Sequence, residues 1–198
     1  MASLEVPDIP RAESVTLAAA DSAVIVVDMQ NDFAHPDGAL FGEGAQRAVP
    51  VIADVLERAR AASVPVFYTQ DWHRPDDPEF AIWGEHARAD TWGATIVDQL
   101  TPADDDTCIR KLRYDAFYGT PLDHLLRLRG VRHVLIVGTV ANICVLHTAG
   151  SAALRYYHVV VAEDGVAALT PFDKACALRQ VTFLYQGRVT SGAGVRFA

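Results

Sequence analysis

Residues 134–137 read Val-Leu-Ile-Val, an apolar run with no polar residue in alternation, and Gly138 closes it. A strand that shows one face to water alternates apolar with polar. An unbroken run bounded by glycine therefore predicts a strand buried on both faces, the habit of parallel sheets covered by helices on either side. Residues 22–28, Ser-Ala-Val-Ile-Val-Val-Asp, repeat the pattern and end on a carboxylate. Helical spacing follows over 49–62 (Val51, Ile52, Val55, Leu56, Ala59), then a further short strand at 64–68. Strand, helix and strand at this spacing imply a right-handed crossover between parallel strands.

The rest of the chain continues the alternation. Strands are predicted at 108–111, 158–162 and 187–190. Helices are predicted from Pro121 to Gly130 with Thr120 as N-cap, from Cys144 to about Tyr156, and over 172–185 with an interruption at Thr182. A short helix is expected at 96–100. The fold class is α/β: a doubly wound, Rossmann-like parallel sheet with helices on both faces, one domain over residues 1–198. Residues 1–21, which include Pro7 and Pro10, are expected to form a surface arm.

Composition excludes several classes. No apolar run reaches eighteen residues, and Glu5, Asp8, Arg11 and Glu13 interrupt the first twenty, so a cytoplasmic protein without membrane contact is expected. A net charge of −8 argues against a nucleic-acid partner. The three cysteines, Cys108, Cys144 and Cys176, are odd in number and widely spaced, which speaks against a disulfide framework.

Chemistry concentrates where the apolar runs stop. In open α/β sheets ligands gather beyond the carboxyl ends of the strands, which is where Asp28, Lys111 and Cys144 fall. A carboxylate that takes a proton, a lysine that holds charge and a thiol that attacks a carbonyl carbon together suit acyl transfer through a thioester. Cys144 stands where a helix begins, a position that favours thiolate and supplies free backbone N–H groups. After the second strand come Asp71 and His73, two residues apart, and His86 beyond a proline-containing loop. These donors suit a divalent transition metal, Zn²⁺, Fe²⁺ or Mn²⁺, with Glu79 as fourth candidate and Asp76, Asp77 and Glu85 as competitors.

Three segments carry a resemblance: Val-Val-Asp-Met-Gln-Asn-Asp-Phe at 26–33, Lys111 followed by Tyr-Asp-Ala-Phe-Tyr-Gly-Thr at 114–120, and Gly-Thr-Val-Ala-Asn-Ile-Cys-Val at 138–145. Together they resemble the isochorismatase-like cysteine hydrolases from about Ser22 to about Ala168. The resemblance implies Asp28, Lys111 and Cys144 as catalytic triad. It further implies a cis peptide at Thr139-Val140, an oxyanion hole from the N–H groups of Val140 and Cys144, and a homo-oligomer. Within that family, Asp71, His73, Glu79 and His86 resemble the metal site of nicotinamidases. They imply a small-molecule amide substrate, with nicotinamide released as nicotinate and ammonia for NAD salvage, and zinc as the first choice of metal. Phe33, Trp72, Trp83, Tyr114 and Phe117 are the candidate pocket walls.

Two departures widen the expectation. The segment after His86 is Ala-Arg-Ala-Asp-Thr-Trp-Gly-Ala, and the lysine lies in Arg-Lys-Leu-Arg-Tyr-Asp. Both differ from the usual nicotinamidase pattern and bring a metal-free carbamoyl or ureido amidase within reach. A non-catalytic binding module is the remaining alternative, against which the retained trio of Asp28, Lys111 and Cys144 argues.

Overall fold

The computed structural model describes residues 7–198. Its elements run Val15–Leu17 (β1), Ser22–Val27 (β2), Asn31–Ala34 (α1), Glu43–Ala61 (α2), Val66–Asp71 (β3), Phe80–Trp83 (α3) and Thr107–Lys111 (β4). The second half runs Leu122–Leu128 (α4), His133–Gly138 (β5), Leu146–Leu154 (α5), His158–Val166 (β6), Pro171–Phe183 (α6), Arg188–Thr190 (β7) and Val195–Phe197 (β8). Six strands form one parallel sheet in the order β4-β3-β2-β5-β6-β7, flanked by helices in a single α/β domain.

The strand order explains why the apolar runs lack alternation. Ala23, Ile25 and Val27 face one core with Val134 and Ile136, packed by residues of α4, α5 and α6. Val24 and Val26 face the other with Leu135 and Val137, against Ala48, Ile52, Val55 and Leu56 of α2. Both faces are covered, so both parities are apolar. The chain winds outward from β2 through β3 to β4, then returns to place β5 on the other side of β2. The β2/β5 boundary is thus the topological switch point, beyond whose carboxyl ends a crevice opens.

Several boundaries differ from the sequence expectation. α2 begins at Glu43 and carries Pro50 inside it; the missing N–H costs one helical bond, which the buried stripe from Ala45 to Ala59 offsets. β3 runs on to Asp71 because its last three residues, though polar, are buried. In place of a helix at 96–100 stand two 3-10 turns, Trp92–Ala94 and Asp98–Leu100. Thr182 does not interrupt α6; its hydroxyl donates to Leu178 O and Arg179 O within the helix. The expected surface arm is partly built in: Val15 and Leu17 are buried and β1 pairs in parallel with β8, while residues 1–6 of the arm lie outside the described residues. Among the described residues no helix is long and apolar enough to cross a membrane.

Candidate active site

Asp28 follows β2, and Asp71 and Lys111 end the neighbouring strands β3 and β4, where they are register partners. Cys144 lies in a π-type turn, Ala141–Val145, between β5 and α5. These side chains meet in the interior. Lys111 is 2% exposed; its Nζ lies 2.8 Å from Asp28 Oδ2 and 3.7 Å from Cys144 Sγ, and it donates to Asp71 Oδ1. Asp28 Oδ1 accepts a 2.6 Å bond from the Thr69 hydroxyl. Its Oδ2 has the ion-pair contact with Lys111 but no well-directed hydrogen-bond donor, so it can take a proton.

The electrostatics correct one expectation. Burial pushes the Cys144 thiol well above its ordinary value, Lys111 opposes this, and Asp28 and Asp71 add to the rise. Burial likewise raises Asp28, with Lys111 acting against it and Asp71 with it. Burial works against the charge of Lys111, but the two carboxylates outweigh it and hold the ammonium well above its ordinary value. The site is therefore a lysine between two carboxylates beside a buried thiol whose ionisation burial disfavours, an arrangement suited to moving the thiol proton to Asp28 as a bond forms at sulfur.

The Thr139-Val140 peptide is cis. The Val140 N–H has no hydrogen-bond partner among the described residues, and that of Cys144 donates to nothing outside its own turn. Two such donors beside a thiol can hold a developing oxyanion. Gly138 permits this backbone path. Its φ is +117°, and a Cβ there would stand 2.1 Å from Val27 O.

A cavity of about 370 Å³ opens over the thiol. Its walls include Asp28, Asp71 and Cys144, the expected Phe33, Trp83 and Tyr114, and also Leu40, Phe41, Ile143 and Leu169. Trp83 Nε1 donates to Tyr114 Oη at 3.0 Å, joining the end of α3 to the segment after β4. Trp72 and Phe117 are not in the wall. Trp72 points to the opposite side of the chain from Asp71 and His73, as alternation requires, and stacks under the Arg110 guanidinium at 3.9 Å. Phe117 is core, with its ring 6.0 Å from that of Tyr157.

Asp71, His73 and His86 form a buried donor cluster, their ligand atoms all within 4.8 Å of one another. Among the described residues His73 Nε2 is buried with no hydrogen-bond partner, and as a lone pair it is one that a cation in this cluster would satisfy. Glu79 shares the cavity wall with Asp71 and His86, and burial followed by the charge of Asp71 raises its carboxyl. The residues fit a divalent metal. Glu85 and Asp76 are surface residues paired with Arg88 and Arg74, outside the cluster. Asp77 is buried with its Oδ2 3.1 Å from His73 Nδ1, a contact that its spacing of four residues from His73 does not by itself distinguish from ligation. Burial opposes its ionisation, but the Glu79 N–H, His73 and Arg113 outweigh that and hold the carboxyl below its ordinary value.

A doubly wound α/β domain with a carboxylate, a lysine and a cysteine converging at the switch point defines a class, the cysteine hydrolases. The isochorismatase domain matches residues 22–193, and the chain belongs to the isochorismatase family. It is 32% identical, over 95% of its length and 94% of the relative's, to the ureidoacrylate amidohydrolase of Azorhizobium caulinodans. The N-carbamoylsarcosine amidase of Thermoplasma acidophilum superposes with a TM-score of 0.80 at 39% identity, over 87% of this chain and 96% of that one. A nicotinamidase of Bacillus subtilis superposes with a TM-score of 0.82 at 29% identity, over 86% and 99%. The family and these relatives make the protein an amide-hydrolysing enzyme of the isochorismatase type.

Proposed function

We propose that this amidohydrolase cleaves a small, uncharged aromatic amide of the nicotinamide type through a thioester on Cys144. The observation that carries the reading is the Asp71, His73 and His86 cluster, which lies in and behind the wall of the same cavity as the thiol. The charge of that cavity agrees. Among the described residues, Asp28, Asp71 and Glu79 line it and no lysine or arginine does, so, apart from the metal that the cluster would hold, its walls favour an uncharged substrate.

In the reaction, Asp28 takes the Sγ proton as the sulfur attacks the amide carbonyl, and Lys111 holds the two carboxylates in place beside it. The N–H groups of Val140 and Cys144 hold the oxyanion. Asp28 returns the proton to the departing nitrogen, ammonia leaves, and a thioester remains. Water, deprotonated by Asp28, then adds to the thioester; the carboxylic acid leaves and Cys144 regains its proton. Asp71, His73 and His86, with Glu79, would hold one divalent metal, with zinc the first choice and iron or manganese the alternatives. Such an ion supplies a Lewis acid that anchors a pyridine nitrogen.

A second reading is a metal-free carbamoyl or ureido amidase. The 39% identity to an N-carbamoylsarcosine amidase favours it, as does the use of Asp71 Oδ1 by Lys111. Ammonia release from nicotinamide, N-carbamoylsarcosine and ureidoacrylate, before and after chelation and zinc return, separates the two. The nicotinamide reading expects turnover of nicotinamide alone, lost on chelation and restored by zinc. Turnover of a carboxylate-bearing ureido compound that survives chelation contradicts it.

A further inference from the structure

Asp77 is a buried carboxylate near the cavity that the proposed reaction does not use, and its contacts tie it to His73, Glu79 and Arg113. His73 is fully buried, and its backbone is fixed by bonds from His73 N to Ala87 O and from Ala89 N to His73 O, at 3.0 and 2.9 Å. Its ring packs against Phe80 and His86, with centroids 5.5 and 4.8 Å away. Position is thus set by backbone and packing, but neither decides which ring nitrogen carries the proton. Asp77 Oδ2 faces Nδ1 at 3.1 Å, while Nε2 faces the cluster, 3.9 Å from Asp71 Oδ2.

We propose that Asp77 is a positioning residue that places the His73 proton on Nδ1 and so keeps the Nε2 lone pair turned toward Asp71 and His86. The inference rests on the metal reading given above and deepens it. An ionised carboxylate only accepts hydrogen bonds, so a neutral His73 must donate from Nδ1 and leave Nε2 bare. Arg113 Nη1, 3.1 and 3.2 Å from the two carboxylate oxygens, supplies the countercharge for Asp77 in the buried setting. The Glu79 N–H adds a bond to Oδ1 at 2.9 Å, so the same carboxylate also ties down the backbone of the fourth candidate ligand. One side chain thereby orients one donor and anchors the segment that bears another.

The substitution Asp77→Asn makes the inference testable at nearly constant shape. The Glu79 N–H donates to Oδ1 alone, whereas Arg113 reaches both oxygens, so the asparagine keeps its oxygen at Oδ1 and turns its NH₂ toward His73. Nδ1 must then accept, and the ring proton moves to Nε2, where it blocks the lone pair. In metal-free protein carrying ¹⁵N-histidine, two-bond ¹⁵N–¹H correlation spectra should show His73 as the Nδ1–H tautomer in the wild type and the Nε2–H tautomer in Asp77→Asn; the resonance is assigned by its absence from His73→Gln. Zinc affinity, measured against a competing chelator, should fall by at least about tenfold in Asp77→Asn. An Nε2–H tautomer in the wild-type protein overturns the proposal without recourse to any variant. Unchanged tautomer and unchanged zinc affinity in a folded Asp77→Asn also overturn it. Wild-type protein that takes up no zinc overturns the metal reading on which the inference rests, and the tautomer spectra then show separately whether Asp77 sets the ring.

Discussion

In the proposed reaction Asp28 has to be ionised to receive the thiol proton, and its surroundings make ionisation harder. Burial raises its carboxyl above the ordinary value of 3.8, and the attraction of Lys111 only opposes that rise. A raised carboxyl stays protonated to higher pH, so kcat/KM climbs with pH through the raised value rather than through the ordinary one. The pH profile of ammonia release should therefore show an acid limb above the ordinary carboxylate range. A profile flat down to about pH 4 would contradict that. Asp28, Lys111 and Cys144 could be read from the sequence because each is a polar or reactive residue at the point where an apolar run stops. Their supports could not. Thr69 looks like an ordinary β-branched strand residue, yet its hydroxyl donates to Asp28. Asp77 sits among other acidic residues, and only the fold shows that it turns toward His73 while Asp76 turns to Arg74. The state of the thiol was also hidden, because the burial that raises Cys144 comes from chain segments far apart in sequence.

The turn from β5 into Ala141–Val145 depends on Gly138, whose φ of +117° and close approach to Val27 leave no room for a Cβ. Gly138→Ala should lower stability by about 2–4 kcal/mol through combined backbone strain and overpacking between β2 and β5. Urea denaturation followed by circular dichroism measures this; an unchanged midpoint would contradict it. Elements with a strong apolar period were readable: β2, β5 and the start of β6 stand where the unbroken runs predict them. Elements whose polarity serves the site were not. The last turnings of β3 are Thr69, Gln70 and Asp71, polar residues that are buried because they bond to Asp28, to Ala94 O and to Lys111. The strands β1 and β8, three residues each, carry too little pattern to be seen without each other.

Parallel winding places residues remote in sequence around one crevice. Asp28, Asp71 and Lys111 come from three adjacent strands, and Cys144 from beyond the fourth, across the switch point. The parallel sheet could be argued from strand and helix alternation, and with it the convergence of strand ends. The cavity walls Leu40, Phe41, Ile143 and Leu169 could not, since loops that cross the sheet's edge bring them together with no periodic signal. The reading of the whole molecule as a cysteine amidohydrolase stands on the thiol at the centre of that crevice. The most direct test is the rate of ammonia release from nicotinamide by the wild-type enzyme and by Cys144→Ala, with folding of both verified by circular dichroism. The expected result is turnover by the wild type and a loss of at least about a thousandfold in a folded Cys144→Ala. Turnover retained by Cys144→Ala would contradict the thioester route, and a wild type inert toward nicotinamide would contradict the assigned substrate.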